Sequence, residues 1–121
     1  MLIICMEGIH ILANLYGCEN KEILLDENLL EKEIQSLIKK SGLEIVGKCF
    51  YKFKDSGVTG IFLISESHVS VHTWPEKDNS LNLDIFTCNV SGNNEGKAKK
   101  LFEDLKKLFS PTKIKSKVVK R

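Results

Sequence analysis

Between His68 and Trp74 the chain alternates without a break. His68, Ser70, His72 and Trp74 fall on one face of a strand, and Val69, Val71 and Thr73 on the other. Such a strand has one apolar face to bury, which suits a sheet packed on one side only. Residues 81–88 alternate in the same way, with Asp84, Phe86 and Cys88 opposite Leu81, Leu83 and Ile85. Residues 8–16 read as a strand ending at Gly17, and residues 43–53 and 58–65 as two strands around a turn at 54–57. The later of these holds the most continuously apolar run, Ile61-Phe-Leu-Ile64, and is expected at the centre of the sheet.

Two segments switch to a 3.6-residue period. In the first, Leu30, Ile34, Leu37 and Ile38 form a stripe, with Asn28 as the expected N-cap, Glu31 three positions on and Ser41-Gly42 as the stop. In the second the stripe is Ala98, Leu101, Phe102, Leu105, Leu108 and Phe109, with Asn93 and Asn94 as expected caps and Pro111 beyond the end. About six strands and two helices, joined mostly as hairpins, predict an α+β fold: a two-layer sandwich of one antiparallel sheet with two α-helices on one face. At 121 residues the chain forms a single domain, 1–121, with no room for separate cofactor and substrate domains.

Other function classes recede on composition. No apolar run approaches the 18 or more residues of a membrane span, and Met1–Met6 lacks the basic flank of a signal peptide, so a cytoplasmic protein without a membrane partner is expected. The net charge of +2 hides a division: five of the 18 basic residues lie in the last nine positions, leaving a body with 13 basic against 16 acidic side chains, net −3. Those lysines alternate along Lys113-Ile-Lys-Ser-Lys-Val118, as an edge strand with a lysine face does, so no nucleic-acid partner is expected. Cys5, Cys18, Cys49 and Cys88 contain no C-x-x-C pair, which leaves each as a small buried apolar residue until something singles it out.

Polar residues gather at Ser65-Glu-Ser-His-Val-Ser-Val-His-Thr-Trp-Pro-Glu76, directly after the most apolar strand. A polar hairpin turn at Glu66-Ser67 is one reading. A metal site from His68, His72 and Asp84 is another, but residues four apart on a strand are roughly 13 Å apart, too far for one ion. A serine hydrolase using Ser67 and His72 lacks the G-x-S-x-G elbow.

The blocks Gly57-Val-Thr-Gly60, Ser65-Glu-Ser-His68, His72-Thr-Trp-Pro-Glu76 and Asp84-Ile-Phe-Thr-Cys88 occur in one order, with Gly8-Ile-His10 and Leu15-Tyr-Gly-Cys18 before them. Together they resemble the small bacterial and archaeal S-adenosylmethionine decarboxylases, from about Gly8 through the second helix. The resemblance implies a proenzyme that makes its own pyruvoyl cofactor by serinolysis. Ser67 attacks the Glu66 carbonyl, and the chain divides into residues 1–66 and 67–121.

By the same resemblance His72 is the processing acid or base, Thr59 supplies a hydroxyl to the intermediate, and Cys88 is the proton donor of the decarboxylation. The ketone at residue 67 would hold the substrate as a Schiff base. Phe53 and Trp74 match the positions that sandwich adenine, a stacking geometry suited to flat rings. Glu76 matches the carboxylate that accepts both ribose hydroxyls. A homodimer and a role in spermidine synthesis follow as expectations. Asn14 and Ile9 depart from the acid and arginine usual in the family, Asn89 replaces a common glycine, the tail is shorter, and the loop before Asp84 is one residue longer. The alternatives are an adenosyl-binding module in which Ser67 stays intact, or a pyruvoyl decarboxylase for another amino acid such as arginine.

Overall fold

The computed structural model describes residues 7–90 and 92–121. Cys5 and the Met1–Met6 segment read above lie outside them. Strands β1 (Gly8–Tyr16), β2 (Ile45–Lys52), β3 (Val58–Ile64), β4 (Ser67–Trp74), β5 (Ser80–Cys88) and β6 (Lys113–Lys120) alternate with helices α1 (Lys21–Leu25), α2 (Glu27–Ser41) and α3 (Glu95–Phe109). The six strands form one antiparallel sheet in the order β2-β3-β4-β5-β1-β6. The chain leaves β1 through α1 and α2 to the far edge. Three hairpins bring it back to pair β5 with β1, and α3 then carries it to β6 on β1's other side.

The predicted sandwich is therefore present, with a short third helix added. Among the described residues no helix is long and apolar enough to cross a membrane. One face of the sheet is sealed by helices: α3 lies on β1 and β5, α2 on β2 and β3, and α1 against β4. Alternation puts Ile9, Ile11, Leu15, Phe62, Val69, Val71, Leu81, Leu83 and Ile85 beneath them, all 1% exposed or less. Each such side chain contributes about 1.5–3 kcal/mol by leaving water. The helical stripes close the core from the other side, with Leu30, Ile34, Ile38, Leu101, Leu105 and Phe109 fully buried.

Four local readings change. Helix α2 starts at Glu27, one residue before the expected cap Asn28, because Asp26 accepts the Leu29 N–H at 3.0 Å. Helix α1 has five residues, too few for a periodic signal, yet its Ile23 and Leu24 are wholly buried. Strand β3 is interior but one strand from the edge, so β4 and β5 hold the centre. Its apolar run reaches both faces, and Leu63 is 49% exposed on the open one. Cys49 is exposed rather than buried, because β2 is an edge strand and the residue faces away from the helices.

Two glycines of the 57–60 block have steric reasons. A Cβ on Gly60 would meet the Phe50 ring at 2.2 Å, and one on Gly57 would meet the Thr73 carbonyl oxygen at 2.0 Å. The expected stop at Gly42 is present as a left-handed cap, with φ 94.

Candidate active site

Register decides what shares the open face. Pairing runs from Ser67↔Thr87 to Trp74↔Ser80 between β4 and β5 without a bulge. The intervening loop turns through Asp78 and Asn79, which adopt left-handed φ of 55 and 45. Backbone bonds from Gly17 N–H to Asp78 O at 2.9 Å and from Cys18 N–H to Asn79 O at 3.0 Å fasten that loop to the end of β1. Cys88 consequently sits beside the Glu66-Ser67 junction.

At that junction Ser65 and Glu66 form the tight turn between β3 and β4. Ser67 has φ 144, a backbone conformation that a residue with a Cβ adopts only under strain. The Glu66 carbonyl accepts the Cys88 N–H at 2.7 Å. Its carboxylate accepts the Val90 N–H at 2.9 Å and the Asn94 side-chain amide at 2.6 Å. Thr87, opposite Ser67 in the sheet, is fully buried, and its hydroxyl has no hydrogen-bond partner among the described residues.

The histidine that the chain brings to Ser67 is His68, whose Nδ1 lies 3.3 Å from the serine Oγ. Burial holds the His68 pKa below the usual histidine value, helped by the nearby His10 and Arg121 and opposed by Asp84. His10 in turn contacts Asp84 at 3.2 Å. His72 is elsewhere. It lies five residues along β4, roughly 16 Å from Ser67 at strand rise, and its Nδ1 is 3.1 Å from the Thr59 hydroxyl on β3.

Thr59 and His72 belong to a second cluster. With Phe53, Lys54, Ser56, Thr73 and Trp74 they line a cavity of about 370 Å³. Phe53 and Trp74 are 47% and 41% exposed, so both rings keep open faces. The Phe53 loop is shaped by Lys52, whose ammonium donates to the Phe53 and Ser56 carbonyls at 2.7 and 2.6 Å. Glu76 accepts a hydrogen bond from the Ser56 hydroxyl at the rim. The Trp74 indole N–H donates to Asn82 Oδ1 at 2.7 Å, and Asn82 Nδ2 donates to Asn14 Oδ1 at 2.7 Å. Asn14 closes the row on the Tyr16 hydroxyl at 3.3 Å.

The site residues read from the sequence thus divide into two groups near opposite ends of β4. Glu66, Ser67 and Cys88 sit at one end, and Phe53, Thr59, His72, Trp74 and Glu76 at the other. Sequence reasoning missed His10, Asn82 and Asn94. The first two carried a signal, being polar residues at alternating positions of strands whose other face is apolar. Asn94 was read as a helix cap. It is the residue before α3, but its side chain makes no cap bond, and Asn93 Oδ1 accepts the Glu95 N–H instead at 2.9 Å.

A family model described as S-adenosylmethionine decarboxylase matches residues 9–121. An S-adenosylmethionine decarboxylase proenzyme from Archaeoglobus fulgidus is 46% identical over 95 residues, 78% of this chain and 82% of that protein. The proenzyme of the same name from Caldicellulosiruptor saccharolyticus is also 46% identical, over 81 residues that span 67% of this chain and 64% of that protein. The crystal structure of the adenosylmethionine decarboxylase from Aquifex aeolicus VF5 superposes with a TM-score of 0.86 at 29% identity, covering 98% of this chain and 92% of that one. With its fold and nearly its whole length matched, the chain belongs to the S-adenosylmethionine decarboxylase family.

Proposed function

We propose that the chain is a proenzyme that processes itself at Glu66-Ser67 and then converts S-adenosylmethionine to S-adenosylmethioninamine and carbon dioxide, providing the aminopropyl donor for spermidine. The observation that carries this reading is the junction itself. The strained Ser67 follows a carbonyl already polarised by the Cys88 N–H at 2.7 Å, the arrangement of an oxyanion-hole donor. Attack by Ser67 Oγ forms the Oγ–C bond and breaks the Glu66 C–N bond, with the proton passing to the freed amine. Loss of the Ser67 Cα proton then breaks Cβ–Oγ, and Glu66 departs as a carboxylate. Water replaces the nitrogen of the remaining dehydroalanine as ammonia, leaving a pyruvoyl group at residue 67.

That group supplies an electron sink for the carbon–carbon cleavage. The chain's own side chains do the rest. Phe53 and Trp74 offer stacking faces for adenine and Glu76 a two-oxygen acceptor for the ribose diol. Cys88, beside residue 67, delivers the proton that replaces the lost carboxylate.

His72 and Thr59 assist processing from a second copy. A proton acceptor works within hydrogen-bond reach, about 2.6–3.2 Å. The span of roughly 16 Å along β4 within one chain forbids that. The open sheet face, which carries Thr59, His68, His72 and Cys88, is the natural contact surface of a homodimer, in which the His72 end of one protomer meets the Ser67 end of the other.

Denaturing mass spectrometry tests the central claim. Purified protein should give fragments of 66 and 55 residues that together have gained one water and lost one ammonia, the shorter lacking a free N-terminal amine. An intact chain after prolonged incubation refutes self-processing. Carbon dioxide release from S-adenosylmethionine, with none from arginine, tests the substrate.

A further inference from the structure

Asn94 is 1% exposed, and its amide is turned away from its own helix. Nδ2 donates to Glu66 Oε2 at 2.6 Å and to the Cys88 carbonyl at 2.8 Å. The Asn94 backbone N–H is held in turn by Asn89 Oδ1 at 3.0 Å. Together with the Val90 and Cys88 N–H groups, this grips residue 66 by both its carboxylate and its carbonyl. Only a side chain with two N–H donors on one nitrogen can bridge a carboxylate and a carbonyl in this way.

We propose that Asn94 is a positioning residue for self-processing: it locks Glu66 so that the carbonyl stays on the Cys88 N–H while Ser67 Oγ approaches. Without it, rotation about residue 66 would carry the carbonyl off its donor. The Asn94 and Val90 N–H groups also offset the Glu66 carboxylate charge beside an oxyanion that must develop at the neighbouring carbon. After cleavage the same grip keeps the new C-terminal residue 66 beside Cys88. The inference rests on the self-processing reading above.

The test follows conversion of the 121-residue precursor to its fragments by gel after cell-free synthesis. Asn94→Asp keeps size and cap propensity but sets a carboxylate against the Glu66 carboxylate, and should slow conversion at least about tenfold. Asn94→Ala should slow it as well. Adding Glu66→Gln to Asn94→Asp gives the new carboxylate an amide donor to accept from, and should recover at least about threefold of the loss. A purely structural role for Asn94 predicts no such rescue. Thermal midpoints of the uncleavable Ser67→Ala background, with and without Asn94→Asp, confirm that the variants fold. The inference is overturned if the Asn94 variants convert at the wild-type rate, or if the double variant is no faster than Asn94→Asp. If the unaltered chain never converts, it is the self-processing reading that fails.

Discussion

A single strained residue organises the chemistry. Ser67 with φ 144 is held there by pairing with both β3 and β5, so its strain is maintained by the sheet around it. Cys88 is half-buried beside it, and on the proposed reading Cys88→Ala should separate processing from turnover. Fragments should form at a near-normal rate while sustained carbon dioxide release falls about a hundredfold or more, the scale of a lost general acid. Undiminished turnover would remove Cys88 from its role. Cys18 makes the contrast. Burial, with the Asp78 charge beside it, pushes its thiol up to about 11. A pKa raised on folding means that the unfolded chain loses the proton first, so stability should decline as pH rises from about 9 towards 11. In Cys18→Ala the thermal midpoint should change less across that window, measured by calorimetry against the parent protein.

Elements turn these residues into sites. Strand β4 presents His68 and His72 on the same face but at opposite ends, and β5 supplies the polar partners of both ends. Asn82 illustrates the second. By accepting the indole N–H of Trp74 and donating to Asn14, it fixes the ring plane on an otherwise open cavity wall. The chain has one tryptophan, so its fluorescence reports this contact alone. Asn82→Ala should shift the Trp74 emission and raise KM for S-adenosylmethionine about three- to tenfold, with kcat and processing little changed. An unaltered spectrum would show that the bond does not orient the ring. Asn14 serves this row, since a neutral amide can accept from Asn82 and donate to Tyr16 at once.

At the scale of the molecule, one covered face and one open face determine how a chain of this size can work. The helices seal the first. The second carries exposed Tyr51, Phe53, Leu63 and Trp74, along with Thr59, His68, His72 and Cys88. The proposed proton transfer between Ser67 and His72 in different protomers makes a specific demand. Chains with Ser67→Ala or His72→Ala should each remain uncleaved when made alone. Co-expressed, the His72→Ala chain should be cut, because its own Ser67 meets an intact His72 from the partner. Sedimentation should show a dimer in both cases. Cleavage of the His72→Ala chain by itself would place the acceptor elsewhere.

The alternation of β1, β4 and β5 and the two helical stripes were readable because burial on one face imposes period two on strands and 3.6 on helices. From those periods came the sandwich, the buried face and, through the motif blocks, the family. Five-residue α1 was not readable, because one turn of helix is shorter than its own signal. The exposure of Leu63 and Cys49 depends on strand order, which hydrophobicity does not encode. Asn94 looked like a cap in sequence because capping is local. Its grip on Glu66 joins residues 28 positions apart and exists only when the end of β5 lies beside the β3–β4 turn. Local periodicity and composition thus determined the layers and the chemistry available, whereas strand register decided which groups meet, since hydrogen bonds act over about 3 Å whatever the separation along the chain.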